Sequence, residues 1–363
     1  MVGEVLTRRE LNRTLLGRQL LLGRDRMAAA DALEHLVGMQ AQNPLDPYFG
    51  LWSRLHDFDP EELSKLVARG AAVRAWLMRG TIHLVTARDC LALRPVMDSV
   101  LRAALTAQQF GRDTAGIDRD ELRAAAEEVL ADEPMTRAEL GRSLTERWPA
   151  VKAESLGLAA SCVVPLLQVP PRGTWGATHR ATMARVVTFL DAPLSDDGDP
   201  GDAILRYLRA YGPAAPKDVR AWCYKTGLRV VIDRLRPELR TFRDENGTEL
   251  LDVPDGELFD AETPAPPRFL PEYDNALLSH DDRSRMIAPG KAERLWWKGT
   301  VMVDGFIAGT WKFEREKGSL TLAIGPLGEW PKRDRDEVAA EGERLLAFAA
   351  DESERTKLRF ESA

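Results

Sequence analysis

A chain of 363 residues, 44% hydrophobic and 29% charged, is long enough for two to four modules that each bury a core. Its net charge of −7 argues, at face value, against a nucleic-acid partner, and no apolar run reaches the length of a membrane span. Cys90, Cys162 and Cys223 are odd in number and far apart, which excludes a disulfide framework or a zinc pattern and points to a reducing compartment. Met1 to Arg9 lacks the apolar core of a signal peptide, so a cytoplasmic location is expected.

The charge is unevenly spread. About 40 of the 50 basic residues are Arg, the residue that grips phosphate through paired hydrogen bonds. Arg cluster from Arg8 to Arg26 and from Arg69 to Arg102, whereas acid concentrates at Asp118–Glu133, Asp191–Asp202, Asp244–Glu262 and Glu329–Glu354. Such a pattern fits a basic face built from the N-terminal third. It fits equally an Arg-rich bias on solvated helices.

Thr7-x-x-Glu10 reads as a capping box that opens a helix to about Leu22. A second helix is expected over Ala28–Met39, with His35 on it. Pro44 biases Asn43 away from helical backbone, so the chain should be extended from about Gln40. Side chains two apart in an extended segment point the same way, so Gln40 and Gln42 would present two amides to one spot. The same spacing suits two polar residues in a helix-to-loop turn. A short helix over Tyr48–Leu55 follows, then one opened by Asp59-Pro60-Glu61-Glu62 and ending near Gly70. Ala71–Met78 and Thr81–Val85 read as a hairpin turning at Arg79-Gly80. Thr86 caps a long helix to about Phe110.

Helices followed by a hairpin is the order of a winged-helix module, and the order recurs. Asp118–Asp132, Arg137–Trp148 and Glu154–Leu167 are helical patterns, followed by a hairpin tip at Pro170-Pro171-Arg172-Gly173 between Val169 and Trp175–Thr178. Asp202–Tyr211, Ala215–Thr226 and Leu228–Leu235 are helical again, and Asn246-Gly247 joins strands at Leu239–Phe242 and Glu249–Val253. Thr263–Pro271 is a proline-rich boundary. Strands at Thr300–Asp304, Phe306–Arg315 and Ser319–Ile324 precede a closing helix over Arg335–Ala350. The expected fold is α+β and mainly helical: three tandem winged-helix modules over 1–112, 113–195 and 196–262, and a C-terminal β region over 263–363.

Familiar enzyme signatures are missing: no Walker loop, no GxGxxG after a strand, no HExxH and no GxSxG. The five histidines do not take metal spacing, and neither metal nor cofactor is expected. Seven of the nine tryptophans, Trp76, Trp175 and Trp296 among them, could stack on bases, although packing is the commoner use.

Four segments together resemble a known family. Gly38-Met39-Gln40-Ala41-Gln42-Asn43-Pro44, Trp76-Leu77-Met78-Arg79-Gly80-Thr81-Ile82-His83-Leu84-Val85, Arg172-Gly173-Thr174-Trp175-Gly176 and Leu270-Pro271-Glu272-Tyr273-Asp274 resemble, in order, the winged-helix DNA glycosylases of the YcaQ and AlkZ type. One branch carries Gln-x-Asp and the other Gln-x-Gln, and this sequence has the second form, that of the AlkZ branch. The resemblance implies modules arranged around a DNA-binding channel, a catalytic pair at Gln40 and Gln42, and hydrolysis of the N-glycosidic bond of N7-alkylated purines. It extends to unhooking interstrand crosslinks of the azinomycin type, a base-excision and self-resistance role, on double-stranded DNA and as a monomer. Arg79 and Arg172, Arg283 and Arg285 within Ser279–Ile287, and His35 are the candidate DNA contacts. A groove-entering hairpin is expected within Ser279–Ile287 or Phe306–Leu320. No Lys lies near the glutamines to form a Schiff base, so a monofunctional enzyme is expected. Two rivals share these features: a winged-helix DNA-binding regulator, which would need a dimer and spaced half-sites, and a protein that sequesters the free alkylator.

Overall fold

The computed structural model describes residues 4–131, 133–196, 198–288, 295 and 297–362, so Trp296 lies outside the described residues. Among the described residues the fold is mixed α and β, with three sheets. A six-stranded sheet runs in the order Met39–Gln40, Ile82–Thr86, Ala72–Trp76, Leu166–Gln168, Thr182–Arg185, Met135–Thr136. A five-stranded sheet is built from Arg268–Leu270, Gly299–Val303, Phe306–Glu316, Ser319–Pro326 and Arg355–Phe360. The third joins Val5–Leu6 to Arg240–Asp244 and Glu249–Asp252.

Local signals place most elements. Thr7 and Glu10 form the reciprocal capping box of helix Arg8–Arg18, and Thr136 and Glu139 do the same for Arg137–Leu144. Asp59 caps Pro60–Ala68, and Thr86 caps Ala87–Ala107. The expected turn at Arg79-Gly80 is present, with both residues at positive φ. Helix ends differ. The helix expected to reach Met39 covers only Ala29–His35, because Val37 and Gly38 both take positive φ and turn the chain into the strand Met39–Gln40. A side chain at Gly38 would meet Val85 Cγ1 at 2.4 Å, so this turn needs glycine for space as well as for φ.

Two features follow only from long-range pairing. The hairpin expected to flank Pro170–Gly173 closely has strands further out, at Leu166–Gln168 and Thr182–Arg185, so 169–181 is a long loop. That hairpin also pairs with the first one, Arg74 opposite Gln168, which merges two expected hairpins into one sheet. The N-terminal strand Val5–Leu6 pairs in parallel with Arg240–Asp244, far along the chain. Ser279–Ile287 is a short helical turn at Arg283–Arg285 and not a hairpin, whereas Phe306–Glu316 and Ser319–Pro326 do form one.

The C-terminal β region packs on the first helices. Phe49 contacts the rings of Trp311, Phe313 and Phe348, and this aromatic core also takes in Trp52 and Trp175. Among the described residues, no helix is long and apolar enough to cross a membrane.

Candidate active site

The segment Gln40-Ala41-Gln42 is held at the edge of the six-stranded sheet. Gln40 pairs with His83 across the strands. Ala41 N–H donates to Ile82 O at 2.8 Å, and Arg74 Nη2 donates to Ala41 O at 2.6 Å. Arg74 Nη1 also donates to Gln168 Oε1 at 2.5 Å, so one buried guanidinium ties the segment between the glutamines to the neighbouring hairpin. Burial lowers the Arg74 guanidinium to about 10, which leaves it charged at neutral pH.

The two glutamines occupy different environments. Gln40 is buried and lines a small pocket with Gly38, Arg54, Tyr211, Asp274 and Asn275. Its Oε1 accepts from Arg79 Nη2 at 2.6 Å. Arg79 also donates to Trp222 O at 2.8 Å and to Asn275 Oδ1 at 3.1 Å, and Asn275 Nδ2 donates to Gly38 O at 3.1 Å. His83 Nε2 lies 3.3 Å from Arg79 Nη2, and its Nδ1 lies 3.2 Å from Thr81 O. Burial and then the Arg79 charge push the His83 pKa well below its usual value, so the ring is neutral. Nδ1–H then donates to Thr81, and bare Nε2 accepts from Arg79. Beneath this knot, Arg54 makes a bidentate pair with Asp274 at 2.8 and 2.9 Å, both side chains buried.

Gln42, two residues on, is exposed. Its Oε1 receives only a long 3.5 Å hydrogen bond from Ile82 N–H, and its amide N–H₂ donates to nothing among the described residues. It lines a cleft of about 780 Å³ with Trp76, Ile82, Gln168 and five arginines: Arg74, Arg137, Arg142, Arg172 and Arg180. Glu154 is the one carboxylate among the described residues lining it. Arg137, Arg142 and Arg180 are exposed and have no ion-pair partner among the described residues. A locally basic wall thus sits on a chain of net negative charge.

Several expected DNA contacts are instead engaged within the protein or lie away from the cleft. Arg79 is half-buried and its donors are taken up by four acceptors in the knot around Gln40: Gln40 Oε1, Trp222 O, Asn275 Oδ1 and His83 Nε2. Arg285 is buried and donates to Pro213 O at 2.7 Å. His35 donates to Arg18 O at 2.6 Å. Arg283 is half-buried near Asp281 and Tyr224 and does not line the cleft. Only Arg172 of the expected set faces the cleft, with Nη1 on His179 O at 2.6 Å. The N-terminal arginines do not build a basic face either: Arg13 pairs with Asp304, Arg18 with Asp252 and Arg24 with Glu341. Arg74 lies in the Arg69–Arg102 cluster noted in the sequence, whereas Arg137 and Arg142 on one helix and Arg180 on the 169–181 loop escaped the sequence reading, because each is an ordinary Arg in its own segment.

The four motif segments meet here. Gly38–Pro44 and Trp76–Val85 are adjacent in the sheet, Arg172–Gly176 closes one side, and Leu270–Asp274 backs the glutamines. Residues 33–348 match the model of the AlkZ-like DNA glycosylase family. The chain belongs to that family. Its members are DNA glycosylases, hydrolases of N-glycosyl bonds. An interstrand DNA cross-link repair glycosylase of Streptomyces sahachiroi is 26% identical, over 81% of this chain and 85% of the relative. The solved structure of the Streptomyces sahachiroi DNA glycosylase AlkZ shares the fold at a TM-score of 0.71 and 21% identity, covering 98% of this chain and 100% of that one. The amide of Gln42 and the arginine-lined cleft are open to solvent.

Proposed function

We propose that this glycosylase is monofunctional and hydrolyses the N-glycosidic bond of N7-alkylated purines in double-stranded DNA, interstrand crosslinks of the azinomycin type included. The observation that carries the reading is the Gln42 amide, exposed and almost unengaged, at the wall of a cleft with five arginines.

The chemistry suits an amide. An N7-alkylated purine already carries positive charge, so it leaves neutral without prior protonation, and a general acid is not required. The sugar develops oxocarbenium character, by analogy with glycoside hydrolysis. Gln42 Oε1 then has two tasks: to hold water toward the anomeric carbon and to face the growing cation with a fixed dipole. Gln40, its carbonyl engaged by Arg79, acts as a positioning residue that fixes the strand carrying Gln42. The exposed arginines take phosphates on either side of the lesion. An open cleft also admits a base still tethered to the opposite strand, which could not be swung fully into a closed pocket.

Incubation with duplexes bearing N7-alkylguanine, and with a crosslinked duplex, tests the reading by scoring abasic sites. Release of the alkylated base from both is expected, and no abasic sites on either would overturn it.

A further inference from the structure

Beside the basic cleft lies a second cavity of about 580 Å³ with a different character. Its walls are the half-buried Trp175 and Phe313 with the buried Phe49 and Trp311 of the aromatic core, and Asp46 and Glu272 edge it. The cavities abut at the candidate active site: Gln42 lines the basic one and its neighbour Asn43 the aromatic one. The 169–181 loop divides them in the same way, with Arg172 on one side and Trp175 on the other. Tyr48 Oη donating to Gly173 O at 2.8 Å, and Trp175 N–H donating to Ser64 Oγ at 2.9 Å, hold this partition to the helices beneath it.

Its charges are unbalanced in one direction. Lys312 and Arg315 also border the cavity, but Lys312 is answered by Glu314 at 2.9 Å and Arg315 by Asp351 at 2.9 Å and Glu354 at 3.1 Å. Neither acid has an ion-pair partner among the described residues, although the Asn43 backbone and the Arg74 charge both favour the ionised form of Asp46. Asp46 is only 4% exposed, and its Oδ2 has no hydrogen-bond partner. Glu272 is half-buried and has no ion-pair partner among the described residues. Burial raises both carboxyls, Asp46 to about 8, with the nearby Glu272 adding to the rise at Asp46 and Asn43 and Arg74 opposing it. Aromatic faces and carboxyls without an ion pair favour the same kind of ligand, a flat ring with positive charge, whose arrival draws Asp46, protonated at neutral pH, toward its ionised form.

We propose that the cavity between Phe49, Trp175, Trp311 and Phe313, edged by Asp46 and Glu272, binds the cationic ring of an alkylated purine turned out of the duplex beside Gln42. This rests on the glycosylase reading above and deepens it: the pocket selects damaged bases by their charge. A neutral purine has the same shape but leaves both carboxyls unanswered. A tethered crosslinked base stays in the open cleft, so the pocket serves monoadducts.

The test uses the intact protein and two free bases, 7,9-dimethyladeninium, which keeps its positive charge at neutral pH, and neutral 9-methyladenine, titrated by calorimetry. The cation is expected to bind at least about tenfold more tightly than the neutral base. Glu272→Gln should erase most of that preference, and Trp175→Leu should weaken both bases, with thermal melts checking that each variant folds. Equal affinity for the two bases, binding of neither, or a preference untouched by both variants would overturn the proposal. The readout needs no DNA and no catalysis. A failure here is therefore distinct from a failure to form abasic sites.

Discussion

Gln40 and Gln42 are the same residue type, two positions apart on one segment, and the structure gives them opposite surroundings. Around the Gln40 carbonyl most polar groups answer one another: Arg79, Asn275 and neutral His83 form a knot over the buried Arg54–Asp274 pair, although Arg54 Nε has no hydrogen-bond partner. Around Gln42 they do not: an exposed amide faces Arg137, Arg142 and Arg180, none paired among the described residues. Buried polar groups with all partners in place make a rigid support, whereas groups with unused hydrogen-bonding capacity are available to a substrate. The comparison teaches that residue type and spacing nominate a site, while the state of its hydrogen bonds assigns the work.

That contrast breaks most readily at catalysis. Gln42→Ala is expected to reduce excision by about 10²–10³-fold, the scale of losing one preorganised dipole at a developing charge. DNA affinity, measured by fluorescence anisotropy, should stay within about twofold, since the charge-assisted phosphate contacts remain. Equal excision by the variant would end the assignment of Gln42.

Gln40→Ala sharpens the other side. It strips Arg79 of a buried acceptor, so a stability loss of about 1–3 kcal/mol is expected in denaturant unfolding. Gln42→Ala should cost little stability, as its amide makes one long contact. If the two variants lose stability alike, the division between support and reactive face fails.

The cleft arginines come next. Arg142→Ala and Arg180→Ala should each weaken DNA binding on any sequence and lower the slope of log affinity against log salt by about 0.9. Arg79→Ala should not change that slope, because its guanidinium is engaged inside the protein. A slope change with Arg79→Ala, and none with Arg142→Ala, would reverse the map of the interface.

The smallest effect concerns Asp46. Its folded pKa, about 8, lies above its ordinary value of 3.8, so the folded state favours the protonated form. Its contribution to stability is intact below about pH 4 and lost progressively as pH rises toward 8. Asp46→Asn, which cannot ionise, is therefore expected to raise the melting temperature by about 2–4 °C at pH 8.5 relative to the parent, and by less at pH 5. A gain that does not grow with pH would show that the carboxyl is not held neutral.

Much of this architecture is legible locally. The capping boxes at Thr7 and Thr136, the Asp59-Pro60 helix start and the tight turns at Arg79-Gly80 and Asn246-Gly247 each rest on hydrogen bonds or backbone preferences spanning a few residues. The extended backbone at Gln40 is legible for the same reason. Arginine fates are not. Arg13, Arg18 and Arg24 look like a basic run, yet they reach carboxylates at Asp304, Asp252 and Glu341, more than two hundred residues away.

By itself the sequence determined the helices, the turns, the family motifs and the nomination of two glutamines, since each depends on near neighbours or on a short pattern. Only the tertiary structure decided which glutamine is enclosed, which arginines stay unpaired, and that an aromatic cavity with two unanswered acids adjoins the cleft. These are matters of which distant groups come within hydrogen-bonding reach. Burial, which sets the worth of every charge, is a property of the packed chain and of no segment alone.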